Sequence, residues 1–306
     1  LATQLFLSKL KDMNVCLLVV DEAHCISQWG YDFRPSYLKI ADIRQHIPGV
    51  PVLALTATAT PEVIDDIQLQ LRFTDKNVFK KSFKRSNLAY IVKDVEDKQA
   101  QLIKILQKTR GTSIVYVRSR QRTKEISDSL AQNGLSSDFY HAGLSSADKT
   151  RKQNRWKNNE TRIIVCTNAF GMGIDKPDVR VVVHTDLPNS IEEYFQEAGR
   201  AGRDGEKAYA IVLYEKNDSV KLKKRVRDEF PDREFISHVY DSLAYFFQVA
   251  EGFGLGMPYD FSIKQFCAAY KLPLLPAHNA LKILDLAGYI EYTEEIDNRS
   301  DRKSVV

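Results

Sequence analysis

Cysteine is scarce in this sequence, and the four that occur lie far apart. Cys16, Cys25, Cys166 and Cys267 form no Cys-x-x-Cys pair, so no zinc site or redox centre is predicted. We interpret them as buried thiols. No apolar run approaches the roughly 20 residues that span a bilayer, and no signal peptide opens the sequence. We therefore expect a cytoplasmic protein without a membrane partner.

A strong charge of either sign is also missing. The 306 residues include 44 Lys and Arg against 40 Asp and Glu, which gives a formal net charge of +4. A mild excess of cations is compatible with a polyanionic partner, but it is common among proteins that never meet one. Charge alone therefore decides nothing, and function must be argued from motifs.

What the sequence does contain is a regular alternation of apolar runs and helical stretches. The runs typical of buried strands are 16–20, 51–55, 113–117, 162–166, 179–184 and 208–213. This rhythm predicts an α/β fold with helices on both faces of parallel sheets. A polar stretch at 79–95 interrupts it, and a helix at 98–108 starts a second series. We therefore predict one domain over 1–80 and another over 85–218.

A third and smaller domain is expected over 219–306, where strand–helix units stop. Helices at 262–270 and 277–286 are joined by a turn around 271–276, Gly288 ends the second helix, and 289–293 alternates like a strand. Two helices followed by a strand hairpin predict a winged helix-turn-helix, a fold often laid against duplex DNA. A helical interaction domain without nucleic-acid contact is the alternative.

The first chemical motif is Asp21-Glu22-Ala23-His24, which directly follows the strand ending at Val20. Ligands of open α/β sheets bind at the carboxyl ends of strands. In phosphate-cleaving motors an acidic residue here holds Mg²⁺, usually through water, and the adjacent carboxylate polarises the attacking water. We assign Asp21 to the metal and Glu22 to the water. An acidic pair that only caps the following helix is the alternative.

The second motif is the stretch QEAGRAGRDG, residues 196–205, in which Arg200 and Arg203 lie three residues apart. On a helical turn this spacing puts both guanidinium groups on one face, within reach of a common phosphate. Such cations neutralise the charge that develops in phosphoryl transfer, and an arginine finger contributes roughly 10³ to 10⁵ in rate. The glycine before each arginine would let the backbone approach a ligand. A solvated surface loop is the alternative.

Between these motifs, residues 165–175 open a strand into a glycine-bearing loop, and together the three resemble the motor motifs of superfamily 2 helicases. The extension DEAHCISQWGYDFRPSY resembles the aromatic-rich loop of the RecQ family. Further RecQ-like motifs are ALTATAT at 54–60, YVRSR at 116–120, YHAGL at 140–144, FGMGIDKPDVR at 170–180 and the 196–205 stretch itself. The resemblance is continuous to about Leu213.

The resemblance implies two RecA-like domains that hydrolyse ATP with Mg²⁺ between them. DNA with a single-stranded 3′ region would be drawn across both in the 3′ to 5′ direction, in DNA repair and recombination. If the cell is bacterial, the protein would be associated with the nucleoid. The implied catalytic residues are Asp21, Glu22, His24, Gln196, Arg200 and Arg203, and the implied nucleotide-binding residues are Asp21, Gly173, Asp175, Arg200 and Arg203. For Asp175, a turn carboxylate that caps its own backbone is the alternative.

The residues implied in nucleic-acid binding or coupling are aromatic, basic, hydroxyl and amide side chains that follow strand ends. They are Trp29, Tyr31, Phe33, Arg34, Thr56, Thr58, Arg118, Ser119, Arg120, Tyr140, His141, Thr167 and Asn168. Aromatic rings at such positions stack on bases, and the cations track phosphates. Core packing of the rings and solvated surface charge are the alternatives.

The sequence departs from the RecQ pattern in two places. No GxxxxGK[ST] loop, which would hold the phosphates, occurs in residues 1–20, so we expect the 306 residues alone not to turn over ATP. The four-cysteine zinc module of many RecQ proteins also has no counterpart, since only Cys267 lies beyond Gly205. We therefore expect no zinc, and we expect packing around Leu243, Tyr245, Phe246 and Phe247 instead.

Two other functions remain open at this point. A DExH RNA helicase is disfavoured by the extended loop after the DEAH motif. A non-catalytic nucleic-acid-binding platform is favoured by the missing phosphate loop, but Glu22, Arg200 and Arg203 argue against it. The polar end of the chain, residues 298–306, also predicts that the last domain is incomplete.

Overall fold

The structure is a computed structural model of the chain. It describes residues 3–10, 12–27, 34–57, 59–82, 84–171, 174–250, 253–254, 256–293 and 303–305. The chain divides into two compact units, Leu1–Glu215 and Lys216–Val306. The boundary expected between residues 80 and 85 falls inside the first unit, and it stays a prediction.

The first part of the first unit is a small α/β layer. Its elements are α1 Gln4–Leu10, β1 Leu18–Val20, a 3₁₀ turn Ala23–Ile26, α2 Pro35–Leu38, α3 Ile40–Ile43, a 3₁₀ turn Arg44–His46, β2 Val52–Ala54 and α4 Pro61–Gln70. β1 and β2 pair in parallel, with Leu18 opposite Val52. Thr60 caps α4, because its hydroxyl accepts a hydrogen bond from the Val63 amide at 3.4 Å.

The rest of the first unit is built on one parallel sheet of six strands in the order β3-β8-β7-β4-β6-β5. The strands are β3 Leu88–Asp94, β4 Thr112–Tyr116, β5 Ser137–Tyr140, β6 Ile163–Cys166, β7 Val179–His184 and β8 Ala208–Tyr214, and the helices are α5 Lys98–Lys108, α6 Arg120–Gln132, α7 Ser146–Lys157 and α8 Ile191–Ala198. The predicted α/β fold with parallel sheets is confirmed.

Alternate residues of the central strands point to opposite faces, and each face carries a core. Ile114 and Tyr116 of β4 pack on one side with the fully buried Trp156, whereas Val115 packs on the other side with Leu102. A strand that is buried on both faces reads as an unbroken apolar run. This is why the predicted strands of this sheet begin and end within two residues of the observed ones.

The edge strand β3 was missed, because the polar stretch at 79–95 was interpreted only as an interruption. β3 pairs along its whole length with β8, from Leu88 opposite Ala208 to Asp94 opposite Tyr214. Its residues are exposed from Tyr90 onward. The strand begins Leu-Ala-Tyr-Ile-Val, and Tyr90, Ile91 and Val92 are exposed although they are apolar. The apolar run was therefore present in the sequence, and it was overlooked because polar residues surround it.

Over its described residues, the second unit combines four helices with a small antiparallel sheet. Its elements are α9 Lys216–Glu229, α10 Arg233–Phe247, β9 Tyr259–Phe261, α11 Ile263–Tyr270, α12 Leu274–Leu286, β10 Tyr292–Thr293 and β11 Lys303–Val305, with strand order β10-β11-β9. Helix, short turn, helix and antiparallel strands follow one another as the winged helix-turn-helix prediction expected. Gly288, at a φ of 76°, follows the end of α12 as predicted.

Two details of this unit differ from the predictions. α12 begins at Leu274 rather than near 277, so the turn after α11 is shorter than expected. Phe246 and Phe247 pack in an aromatic core with Phe261 and Phe266, but Tyr245 is 76% exposed. The expected packing around Tyr245 was therefore wrong, because consecutive helical residues cannot all face one core.

Candidate nucleotide and nucleic-acid site

The DEAH residues lie where β1 ends and the chain turns sharply. Two backbone hydrogen bonds extend the pairing of β1 and β2 beyond the strand ends. The Leu55 amide donates to Val20 O at 2.8 Å, and the Ala23 amide donates to Leu55 O at 2.9 Å. Glu22 sits between them with φ 48° and ψ 44°, a left-handed conformation that costs a residue with a side chain of order 1–3 kcal/mol and clusters at functional sites. The turn leaves Asp21 exposed and Glu22 partly exposed at the strand end.

Three predicted residues meet around this turn. His24 is 1% exposed, and its Nδ1 lies 3.0 Å from Thr56 Oγ1 and 3.5 Å from Glu22 Oε2. Thr56 follows β2, so the imidazole connects the ends of both strands. The structure therefore brings together Glu22 and His24, predicted as catalytic, and Thr56, predicted as a coupling residue.

The second motif approaches the first through Gln196. The Nε2 of Gln196, on α8, donates a hydrogen bond to Glu22 Oε1 at 3.2 Å. α8 begins after Ser190, whose hydroxyl accepts from the Glu193 amide at 3.0 Å. One hydrogen bond thus joins motifs that are 174 residues apart in sequence.

The spacing of the two arginines had predicted that they share one face of a helix. The structure contradicts this prediction. α8 ends at Ala198, and Arg200 and Arg203 lie in the turns that follow. Helix geometry therefore does not set their relative positions, and their environments differ.

Arg200 is 7% exposed, and a Cβ built on Gly171 would lie 3.1 Å from its Nη2. Its Nε is buried and has no hydrogen-bond partner among the described residues. Burial raises the pKa of the neighbouring Tyr116 well above its usual value, as does Cys166, while Arg200 partly offsets the shift. A buried guanidinium with an unsatisfied donor is poised to gain from an anionic ligand.

Arg203 is paired with another predicted nucleotide-binding residue. Its Nη1 lies 2.7 Å from Asp175 Oδ1, and its side chain is 38% exposed. Asp175 thus has a partner other than its own backbone, which had been the alternative for this carboxylate.

Gly202 allows close packing against the residues around the start of β8. Its φ is 60°, and an added Cβ would lie 2.7 Å from Ala208 Cβ and 2.8 Å from Asn87 Nδ2. Its carbonyl accepts hydrogen bonds from the side chains of Asn87, at 2.7 Å, and Arg85. This packing accounts for a glycine at 202, and close approach of its backbone to a ligand stays a prediction.

Replacing Gly202 by Ala is expected to lower the free energy of unfolding by about 2–4 kcal/mol, because left-handed strain and overpacking each cost about 1–3 kcal/mol. Urea denaturation would measure the loss. Gly205→Ala is the matched control, since Gly205 has φ 86° but no atom within 4 Å of its added Cβ. Equal losses in the two variants would contradict the packing role.

The sequence analysis did not predict a buried histidine–glutamate pair that lies beside Gln196. His184 Nε2 lies 2.8 Å from Glu197 Oε2, and the two residues are 1% and 6% exposed. Burial raises the pKa of Glu197 above its usual value, although the bond with His184 opposes the shift. Tyr116 stacks on the imidazole at 5.2 Å. The only signals in the sequence were a histidine that ends an apolar strand and a carboxylate followed by Ala198 in a helix, and neither is specific.

The predicted nucleic-acid residues of the second half fall into two groups. The first group, Arg118, Thr167 and Asn168, lines a cavity of about 70 Å³ at the carboxyl ends of β4, β6 and β7. The backbone amide of Arg118 donates to Asp186 Oδ2 at 3.1 Å, and its guanidinium donates to Asn189. Sequence reasoning had not included these two partners.

The second group lies around the start of α6. Arg120 and His141 line another pocket with Lys124, and Ser119 precedes the helix without capping it through its side chain. Burial, followed by the charge of Arg120, lowers the pKa of His141.

Tyr140 does not belong to this surface. It is 8% exposed, and its ring packs edge-on against Phe170 with centroids 4.8 Å apart. Core packing, the alternative weighed for the aromatic residues, thus describes the side chain of Tyr140.

The remaining assignments concern Arg34 and five residues that the structure does not describe. Arg34 is partly buried, and its amide donates to Cys25 O at 2.8 Å. The other predicted residues lie outside the described residues: Trp29, Tyr31, Phe33, Thr58 and Gly173.

In the part of the chain that the structure describes, no group of three or more His, Cys, Asp or Glu side chains is arranged to hold a metal ion. Mg²⁺ is commonly held by one or two carboxylates together with substrate phosphates and waters, and Asp21 offers one carboxylate at the strand end. No helix in the described ranges is long and apolar enough to cross a bilayer.

Comparisons with known proteins agree with this geometry. Residues 3–67 match the family model described as DEAD/DEAH box helicase, and residues 97–205 match the helicase conserved C-terminal domain. The Saccharomyces cerevisiae protein Dbp5, solved with RNA and ADP BeF3, has a similar fold, with a TM-score of 0.55 at 22% identity over 74% of this chain and 61% of that one. Parallel sheets that carry a DEAH strand end and an arginine-bearing turn define the motor class of superfamily 2 helicases.

Curated relatives narrow the class to one family. The chain is 44% identical to the RecQ-like DNA helicase blm-1 of Caenorhabditis elegans over 69% of its length, and 38% identical to the ATP-dependent DNA helicase RecQ of Haemophilus influenzae over 80%. The chain belongs to the RecQ family. It spans 22% and 40% of the length of these two relatives.

Proposed function

We propose that this chain is part of the motor of an ATP-driven DNA helicase that moves 3′ to 5′ and acts in DNA repair and recombination. The observation that carries the proposal is the hydrogen bond between Gln196 and Glu22. It places the motif of the second half against the carboxylate of the first half, as hydrolysis between two RecA-like parts requires. The proposal includes a cytoplasmic location, at the nucleoid if the cell is bacterial.

In the proposed hydrolysis, Glu22 orients and polarises the attacking water, and Gln196 holds the carboxylate in place. His24 positions Glu22, since its imidazole lies 3.5 Å from one carboxylate oxygen. Thr56 in turn contacts the imidazole of His24. Arg200 and Arg203 neutralise charge on the transferring phosphoryl group. Asp21 would hold Mg²⁺ through water, and that ion would supply charge neutralisation at the phosphates.

The proposed path for single-stranded DNA consists of the two sets of predicted nucleic-acid residues described above. Arg118, Thr167 and Asn168 offer a cation, a hydroxyl and an amide at one sheet edge, and Arg120 and His141 extend the path. A row of such hydrogen-bond donors is sufficient to bind the phosphates of a nucleic-acid strand. The cavity of the first group is also lined by His184 and Glu197, and Glu197 adjoins Gln196, so strand binding and hydrolysis share one structural neighbourhood.

DNA rather than RNA is proposed on the strength of the relatives, which are named DNA helicases at 38–44% identity. The likeness to Dbp5 concerns the fold alone. A non-catalytic nucleic-acid platform is less well supported, because a pure binder has no need of a strained glutamate that accepts a hydrogen bond from a remote glutamine.

The test compares ATP turnover by the full gene product with DNA and with RNA of equal length. We expect stimulation by single-stranded DNA, weaker stimulation by RNA, and unwinding only of duplexes with a 3′ overhang rather than a 5′ overhang. The 306-residue chain is assayed in parallel and is expected to bind DNA without turnover. Equal stimulation by RNA would favour the RNA helicase, and DNA binding by the full product without turnover would favour the platform.

A further inference from the structure

Helix α9 separates its charges by side. At about 100° per residue, Lys216, Lys223 and Arg227 fall within about 40° of one another, and Lys224 flanks them. The acidic residues Asp218, Asp228 and Glu229 and the remaining cations Lys221 and Arg225 fall on the opposite half of the helix. We call Lys216, Lys223, Lys224 and Arg227 the α9 stripe.

The stripe is exposed, and its charges have no ion-pair partner among the described residues. All four side chains are exposed, and none of them makes an ion pair with another described residue. By contrast, Lys221 Nζ lies 3.9 Å from Asp218 on the other side, and Arg225 is partly buried. Like charges on one helix face repel one another, so an anionic partner would relieve a cost that the folded unit carries alone.

The opposite side of α9 is fixed to the rest of its unit. The Asn279 side chain of α12 donates to Asp228 O at 2.9 Å, and Asp218 is 4% exposed. The stripe therefore lies on an anchored helix. From Lys216 to Arg227 it runs about 16 Å at about 1.5 Å per residue, which matches several phosphates of a regular backbone.

We propose that the α9 stripe docks on the phosphate backbone of duplex DNA. A straight row of cations fits a regular polyanion, and the stripe contains no aromatic ring on which unpaired bases could stack, which single-strand sites use. The apolar residue that lies among these cations on the helix face is Val220, which is 63% exposed. The contact is therefore independent of base sequence.

This site extends the proposed function, because it adds a duplex contact to a motor that moves on one strand. It does not depend on ATP turnover, so it can be tested with the 306-residue chain. Failure of the helicase proposal would appear as absent hydrolysis in the full gene product. Failure of the present proposal would appear only in duplex binding.

The experiment uses two matched double variants of the chain. Lys223→Gln with Arg227→Gln removes two charges from the stripe. Lys221→Gln with Arg225→Gln removes one lysine and one arginine at the same spacing from the other side of α9. Fluorescence anisotropy measures the affinity for a blunt duplex and a single-stranded oligonucleotide over a range of salt concentrations. Circular dichroism and thermal unfolding show that both variants are folded.

We expect the stripe variant to lose duplex affinity about tenfold at low salt. The slope of log K against log salt should fall by about 2, since each phosphate contact contributes about 0.9. The control variant should keep the slope of the parent chain. Equal slopes in the two variants would overturn the proposal. It would equally be overturned if the stripe variant lost binding to anionic lipid vesicles but not to duplex.

Discussion

Glu22→Gln is expected to lower DNA-stimulated ATP turnover of the full gene product by about 10²- to 10⁴-fold, the usual contribution of a general base. Glutamine keeps the size of the side chain and an oxygen that can accept from Gln196, now 3.2 Å from Glu22 Oε1. It cannot take a proton from water. Binding of single-stranded DNA should be largely retained, because the proposed strand path does not include Glu22.

The measurement is steady-state hydrolysis with saturating DNA, together with anisotropy of a labelled oligonucleotide. Glu62→Gln is the matched control, since Glu62 lies exposed in the first turn of α4 and loses the same charge. Turnover at the parent rate in Glu22→Gln would refute the assignment of the base. Loss of DNA binding in the same variant would mean that the substitution acts on the fold instead.

The buried part of the fold was predictable because its physics is local. A central parallel strand such as β6 is apolar on both faces, so the run 162–166 indicates that the strand exists and gives its limits within one residue. The edge strand β3 was missed although its first five residues, from Leu88 to Val92, are apolar. The polar residues around this short run, together with Lys93 and Asp94 at its end, made the whole stretch resemble a connection between domains.

The candidate site was predictable where chemistry demands a residue type at a strand end. Glu22 and Thr56 follow strands that pair with each other, so their proximity to His24 follows from the sheet. The contact of Glu22 with Gln196 was implied only by the family resemblance. The pair of His184 and Glu197 was missed, because a buried polar pair depends on two distant segments fitting together, and neither segment signals its partner.

The sequence predicted Arg200 and Arg203 as a pair of phosphate-binding residues, but it predicted the wrong backbone geometry for them. The spacing of Arg200 and Arg203 suits a helix, yet α8 ends at Ala198. Burial of Arg200 depends on Tyr116 and Gly171, which come from two other strand ends. A rule based on spacing uses only neighbours in sequence. The side chain of Arg200 contacts residues that are 29 and 84 positions away in sequence.

Arg200→Ala is expected to lower turnover by about 10³-fold or more, the usual range for an arginine finger. Removing a buried guanidinium also takes packing from Tyr116, so the free energy of unfolding is measured alongside hydrolysis. Arg200→Lys separates the two effects. Lysine keeps an apolar stem and a charge but loses the planar fork that binds phosphate through two donors. We expect it to recover stability more than turnover.

Arg203→Ala should also lose turnover, but with a smaller loss of stability, because Arg203 is more exposed than Arg200 and pairs with Asp175 at 2.7 Å. If both arginines act on the same phosphoryl group, the double variant should lose much less than the product of the two single losses. Asp175→Asn tests the pair from the other side and should change the KM for ATP more than kcat. Multiplicative losses in the double variant would mean that the two arginines act at separate steps, and parent-like turnover in either single variant would remove that arginine from the catalytic site.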